Sequence, residues 1–241
     1  MASNAIVWHD VECGAYAADL PLWRELAERA GGPVLELGAG TGRVALELAA
    51  DGREVTALDA DVDLLDELGR RADASGLRLS RIHVDACTFR TADRFDLVIG
   101  AMQFPQIVGG PTRRAELLAT VASLLAPGGR FAAAVAELDE AVAPEDAAPP
   151  LPDVGERHGW LFSSLPLDVR PEPGGVAVER LRQVVSPDGR LTEERHTQVL
   201  DSLSADGLAA EAAAHGLRLE ELRAVPATSD HLGSTVVVCR R

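Results

Sequence analysis

Val34-Leu35-Glu36-Leu37-Gly38-Ala39-Gly40-Thr41-Gly42-Arg43-Val44-Ala45-Leu46-Glu47-Leu48 decides the fold. A short apolar run enters a glycine-rich turn and leaves it with apolar residues at helical spacing. The pattern predicts a buried strand, a tight turn and a helix. Gly38, Gly40 and Gly42 let the turn take positive φ and let a ligand approach bare backbone. The following helix offers unpaired N–H groups and the positive end of its dipole. A nucleotide-like cofactor fits such a place.

Two features narrow which one. A dinucleotide turn needs glycines spaced G-x-G-x-x-G, whereas Arg43 occupies the third of those positions here and the glycines run G-x-G-x-G. Glu36, two residues before the first glycine, is a poor neighbour for a pyrophosphate and a good one for an ammonium group. The string E-x-G-x-G-x-G resembles the first motif of the class I S-adenosylmethionine (SAM)-dependent methyltransferases. That resemblance implies SAM as cofactor, S-adenosylhomocysteine (SAH) as product, and cofactor contacts from Glu36, Gly38, Ala39, Gly40, Thr41, Gly42 and Arg43.

The chain has 241 residues, with 46% apolar and 25% charged, an ordinary globular composition. Its net charge is -15 and every basic residue is arginine. That field repels phosphate backbones and anionic membranes, so the expected partner is a small neutral or cationic molecule rather than nucleic acid or membrane. Cys13, Cys87 and Cys239 show no C-x-x-C spacing, which predicts reduced thiols in a cytoplasm. No signal peptide or membrane-spanning run is read in the sequence.

Residues 1–32 are expected to form an N-terminal lid and helix. Asp19 would cap a helix carrying Leu22, Trp23, Leu26 and Ala30 on one face, stopped by Gly31-Gly32. Upstream, Asp10, Gly14 and Tyr16 match the Y-D-x-x-Y-G-x-Y lid of resembling small-molecule enzymes, with His9 and Cys13 where tyrosines are usual. The resemblance places Tyr16 against the cofactor.

The strand at 54–59 ends in Asp59, an acceptor for both ribose hydroxyls, followed by Ala60. Asp61 and Asp63 read as caps of the next helix. The strand at 77–84 leads to Asp85 and Ala86, which by resemblance meet adenine through a carboxylate and a backbone N–H. A buried strand at 94–100 delivers Ala101, Met102, Gln103, Phe104 and Gln106 to the carboxyl end of the sheet, where open α/β folds bind ligands. Ala101 and Met102 are expected at the cofactor; Gln103 and Gln106 are expected at the substrate. A helix at 112–125 with Ala115, Leu118, Val121, Leu124 and Leu125 inward precedes a P-G-G turn and a fifth strand.

Residues 139–155 turn rich in Ala, Pro and acids, and hairpin-like runs follow to 200. In resembling enzymes a small antiparallel addition here caps the substrate. His158, Trp160, Arg180 and Arg182 are candidates to face it, with Trp160 and His158 carried as substrate contacts and the two arginines assigned to a solvated strand face. A last helix and two strands follow, and the loop between those strands holds His231, the candidate general base.

The expected fold is α/β: a doubly wound, mostly parallel, Rossmann-like seven-stranded sheet with a small antiparallel cap insertion. The cofactor domain would comprise 33–138 and 201–241, and the cap 139–200. No metal site is read. The function expected is methyl transfer to a small-molecule nucleophile, O or N foremost. The alternatives are a SAM-binding protein without catalysis and, against Glu36 and the glycine spacing, an NAD-dependent oxidoreductase. The assembly stays open, a homodimer included.

Overall fold

In a computed structural model of the chain, residues 4–136, 150–228 and 232–241 are described. Two helices, α1 (Asn4–Cys13) and α2 (Leu20–Ala30), precede the sheet. The strands β1 (Val34–Leu37), β2 (Val55–Asp59), β3 (Ser80–His83), β4 (Phe95–Gly100) and β5 (Leu125–Val135) then alternate with α3 (Ala45–Ala50), α4 (Val62–Ala74), α5 (Phe104–Ile107) and α6 (Gly110–Leu124). The connection from β3 to β4 carries no helix. After the cap strands β6 (Asp153–Arg157), β7 (Trp160–Glu172), β8 (Gly175–Val185) and β9 (Leu191–Asp201), the chain closes with α7 (Ala205–Ala214), β10 (Arg218–Val225) and β11 (Ser234–Arg240).

The main sheet has seven strands in the order β10-β11-β5-β4-β1-β2-β3. Pairs within β1 to β5 are parallel, while β11 runs antiparallel to β5 and to β10. Strands such as Val34–Leu37 are buried along their whole length because helices cover both faces. Trp23, Leu26, Leu48 and Leu68 pack one face; Leu117, Leu118, Val121 and Leu208 pack the other. The expected doubly wound sheet is therefore present.

Several local expectations need correction. Asp19 stands at the N-cap of α2 without making a capping bond, because its carboxylate is spent on Arg43 and on the Trp23 indole at 2.7 Å. Asp61 does cap α4, accepting from the N–H groups of Asp63 and Leu64 at 2.9 and 3.3 Å. In α6 Ala115 is exposed and Arg114 is buried in its place. Arg114 grips Glu211 with two bonds of 2.6 and 2.8 Å and Asp201 with one of 2.8 Å. A helical pattern treats arginine as surface; three paired charges make burial tolerable.

The cap is a separate antiparallel sheet, β6-β7-β8-β9. Its hairpins are longer than the sequence suggests, since β7 runs unbroken through Leu165 and Pro166 and absorbs a register shift between Pro166 and Asp168. Alternate residues of β8 and β9 share one face: Val178 opposite Gln198, Arg180 opposite His196, Val176 opposite Leu200.

Candidate active site

A cavity of about 790 Å³ opens at the carboxyl ends of β1, β2 and β4, with the cap sheet as its far wall and α1 along its side. The glycine turn shapes the near wall. Gly38, Gly40 and Gly42 all have positive φ, between 55° and 96°. A side chain at Gly40 would place its Cβ 2.1 Å from the His9 imidazole, and one at Gly42 would meet Leu68 at 2.8 Å. The second glycine thus admits α1 to the turn, and the third admits α4. The turn is fixed to β2 by the Gly40 N–H, which donates to Asp59 at 2.7 Å, while Asp59 also accepts from the Asp61 N–H at 2.9 Å.

Of the residues expected at the cofactor, Glu36, Gly38, Ala39, Arg43, Asp59, Ala60, Asp85, Ala86, Ala101 and Met102 line this cavity, whereas Gly40 and Gly42 do not. Met102 and Gln103 hold left-handed backbone, φ 46° and 59°, a strained pair that turns the chain from β4 into α5. Gln103 lines the cavity, as expected of a substrate contact.

Glu36 is 3% exposed, and its Oε2 has no hydrogen-bond partner among the described residues. Burial pushes its carboxyl up to about 8, against the opposing pull of Arg43 and the Ala45 N–H. Arg43 itself is held by Asp19 through bonds of 2.6 and 2.8 Å. Asp85 behaves differently. Burial favours its neutral form, but the Cys87 N–H at 2.8 Å and an ion pair with Arg113 bring its carboxyl below the ordinary range.

Helix α1 joins the two walls. His9 meets the Thr41 hydroxyl at 3.1 Å, Thr41 donates to Asp10 at 2.9 Å, and Asp10 pairs with Arg71 of α4. Burial lowers the His9 pKa and keeps the imidazole neutral despite Asp10 and Asp59 nearby. At the other end of α1, Glu12 accepts two bonds of 2.8 Å from Arg182 and one of 2.8 Å from the Ser164 hydroxyl. The Trp8 ring lies under the Arg182 guanidinium at 5.0 Å and meets Phe162 edge-on at 5.8 Å.

Other expectations are not met by the placement of the side chains. Tyr16 is buried with Arg43 5.2 Å from its ring and does not line the cavity. Thr41 is buried and serves the α1 junction. Gln106 is 1% exposed, and its amide is spent on the backbone: it accepts from Ala136 N–H at 2.8 Å and donates to Ala136 O at 2.9 Å and Asp201 O at 3.1 Å. It clips together the two stems of the cap. His158 occupies the exposed β6–β7 turn, and Trp160 starts β7 beside it; neither lines the cavity. His231 lies outside the described residues.

The cap face reverses the solvated-strand expectation for Arg180 and Arg182. Both line the cavity, at 19% and 12% side-chain exposure, with His196, Gln198, Val178 and Leu200 beside them. Arg180 is paired with Asp153 and donates to Ser164 at 2.7 Å. The alternation of β8 and β9 was the available signal, but it marks a common face without saying which face meets the ligand. Among the described residues, no cluster of three or more His, Cys, Asp or Glu side chains is arranged to hold a metal ion. No helix there is long and apolar enough to cross a membrane.

The fold is the Rossmann-like methyltransferase fold, a seven-stranded mostly parallel sheet with a separate antiparallel cap sheet. Residues 34–129 match the family model described as a methyltransferase domain. A curated relative, the demethylmenaquinone methyltransferase of Clavibacter sepedonicus, is 35% identical over 145 residues, which are 58% of this chain and 52% of that protein. The chain thus spans about half the length of that relative. A SAM-dependent methyltransferase from Clostridium acetobutylicum superposes with a TM-score of 0.74 over 97% of this chain and 96% of that one, at 11% identity. The glycopeptide N-methyltransferase MtfA, solved with SAH, is 26% identical with a TM-score of 0.64, covering 94% of this chain and 88% of that one. The residues present fit SAM: a buried carboxylate with an unpartnered oxygen, a turn stripped of side chains and an acid at the tip of β2.

Proposed function

We propose that the protein transfers a methyl group from SAM to an oxygen or nitrogen nucleophile of a small molecule held between the strand tips and the cap. The observation that carries this reading is how charge is divided inside the cavity. Arg43, Arg113, Arg180 and Arg182 are matched by Asp19, Asp85, Asp153 and Glu12. Glu36 and Asp59, on neighbouring strands, have no arginine pair among the described residues. Two unmatched carboxylates on one wall suit a cationic ligand there, and the compensated opposite wall suits an acceptor that is neutral where it reacts.

SAM, when bound, supplies a methyl group on a positively charged sulfur. Asp59 would hold the ribose hydroxyls with the lone pairs its two backbone bonds leave over. Asp85 and the Ala86 N–H would orient the adenine, and Glu36 would receive the ammonium group. Phe104 from the strand-tip side and Val178 and Leu200 from the cap would exclude water from the acceptor, while Gln103 and Gln198, from the same two sides, offer amides to position it. His196 is half-buried on the same face and unpaired among the described residues, so its imidazole is placed to accept the proton an O–H or N–H acceptor gives up.

The proposal includes a substrate-binding role for the cap and a cytoplasmic location. The experiment incubates purified protein with SAM carrying a deuterated methyl and a panel of small amines and phenols, and follows labelled products and SAH by mass spectrometry. Labelled product with the wild type and none with Asp59→Ala supports the reading. Tight SAM binding with no acceptor methylated across the panel would instead favour a cofactor-binding protein without catalysis.

A further inference from the structure

Glu36 combines three properties that no other carboxylate lining the cavity shares. It is enclosed, it faces the ligand space, and one of its oxygens lacks a partner. The groups around it help a negative charge only in part: the Ala45 N–H bonds the carboxyl and Arg43 attracts it, but burial outweighs both. Arg43, from the turn, is engaged twice by Asp19 at the start of α2. Asp59, at the tip of β2, carries the same charge. From α1, His9 is kept neutral by burial and Cys13 remains a thiol, pushed up to about 11. From β4, Ala101 and Met102 bring no charge. A buried carboxyl without a free counter-ion takes up a proton.

Resting on the cavity as a SAM site, we propose that Glu36 is a proton-linked receptor, a neutral carboxylic acid in the free protein that releases its proton to solvent when the α-ammonium group of the cofactor arrives. No covalent bond to the cofactor forms. The carboxylic O–H breaks, the proton passes to buffer, and the carboxylate gains the cation it lacked. The amino-acid end of the cofactor drives this exchange and the nucleoside end does not. With the carboxyl at about 8 in the free protein, roughly nine-tenths of a proton should leave per ligand at pH 7, and affinity should rise almost tenfold per pH unit between pH 6 and 7.

The test is calorimetric titration of the full chain with SAH at pH 7 in buffers of different ionisation enthalpy. The slope of observed enthalpy against buffer enthalpy counts protons. We expect close to one proton released for SAH and close to none for 5′-methylthioadenosine, which keeps the nucleoside and thioether but lacks the ammonium. Glu36→Gln should lose both the slope and the rise of affinity with pH. Tight SAH binding with no proton released overturns the proposal, as does an unchanged slope in Glu36→Gln or an equal release with methylthioadenosine. No binding of SAH would overturn the cofactor reading, and this inference with it. The methylthioadenosine comparison needs no variant, so it decides the matter even if Glu36→Gln does not fold.

Discussion

The two walls of the cavity are built in opposite ways. On the strand-tip wall, among the described residues, Glu36 has an oxygen without a partner and the Asp59 carboxylate accepts only from backbone N–H groups, although Asp85 is paired with Arg113. The cap wall cancels charge wherever it occurs, Arg182 against Glu12 and Arg180 against Asp153. The difference teaches where specificity of each kind resides. A buried carboxyl without a counter-ion is held neutral until a cation arrives, so that wall suits a cationic ligand. A compensated wall holds its shape without ligand and can vary its apolar and amide positions to suit an acceptor.

The contrast can be broken first at Asp59. Asp59→Ala removes the tie to Gly40 and the proposed ribose acceptor, and SAH affinity measured by calorimetry should fall by about 100-fold or more, as expected for lost hydrogen bonds to a charged group. Affinity close to wild type would detach Asp59 from the cofactor.

Next in size is the pH dependence of the free protein. Glu36 has a folded value raised to about 8 from 4.5. Stability from its proton is therefore complete below the unfolded value and lost as pH rises towards the folded one. Denaturant unfolding should show a decline on the order of 2 kcal/mol between pH 6 and 7.5 in wild type that is absent in Glu36→Gln. An identical pH dependence in the two proteins would mean Glu36 is already ionised.

On the cap side, Gln106→Leu strands the Ala136 N–H and the carbonyls of Ala136 and Asp201. It should cost roughly 1.5 kcal/mol of stability by thermal denaturation while SAH affinity stays within about threefold. A collapse of SAH affinity would show that the two walls are not independent. The smallest effect is expected for His158→Ala, in an exposed turn away from the cavity. Stability should change by less than about 0.5 kcal/mol, with SAH affinity unaltered. A large loss of affinity there would return His158 to the site.

The same division sets how much was legible in the sequence. The strand-tip wall is written in short local units, a strand followed by its own turn, so Glu36, the three glycines and Asp59 could be placed from order, and Asp85 by family resemblance. The cap wall depends on register across strands distant in sequence. Arg180 and Arg182 alternate as any amphipathic strand does, and only the stacking of the cap on α1 turns their face inward to Glu12. Gln106 gave no local signal either, because its partners Ala136 and Asp201 come together only when the cap stems close. The burial of Arg114 had no local signal for the same reason: Glu211, one of its two partners, belongs to a helix formed after the whole cap insertion.

The strand-tip wall is proposed as a receptor for SAM. The most direct measurement is calorimetric titration of the purified protein with SAM, SAH and NAD in turn. Micromolar binding of the two sulfur compounds with no heat from NAD is the predicted result. Binding of NAD without binding of SAH would contradict it.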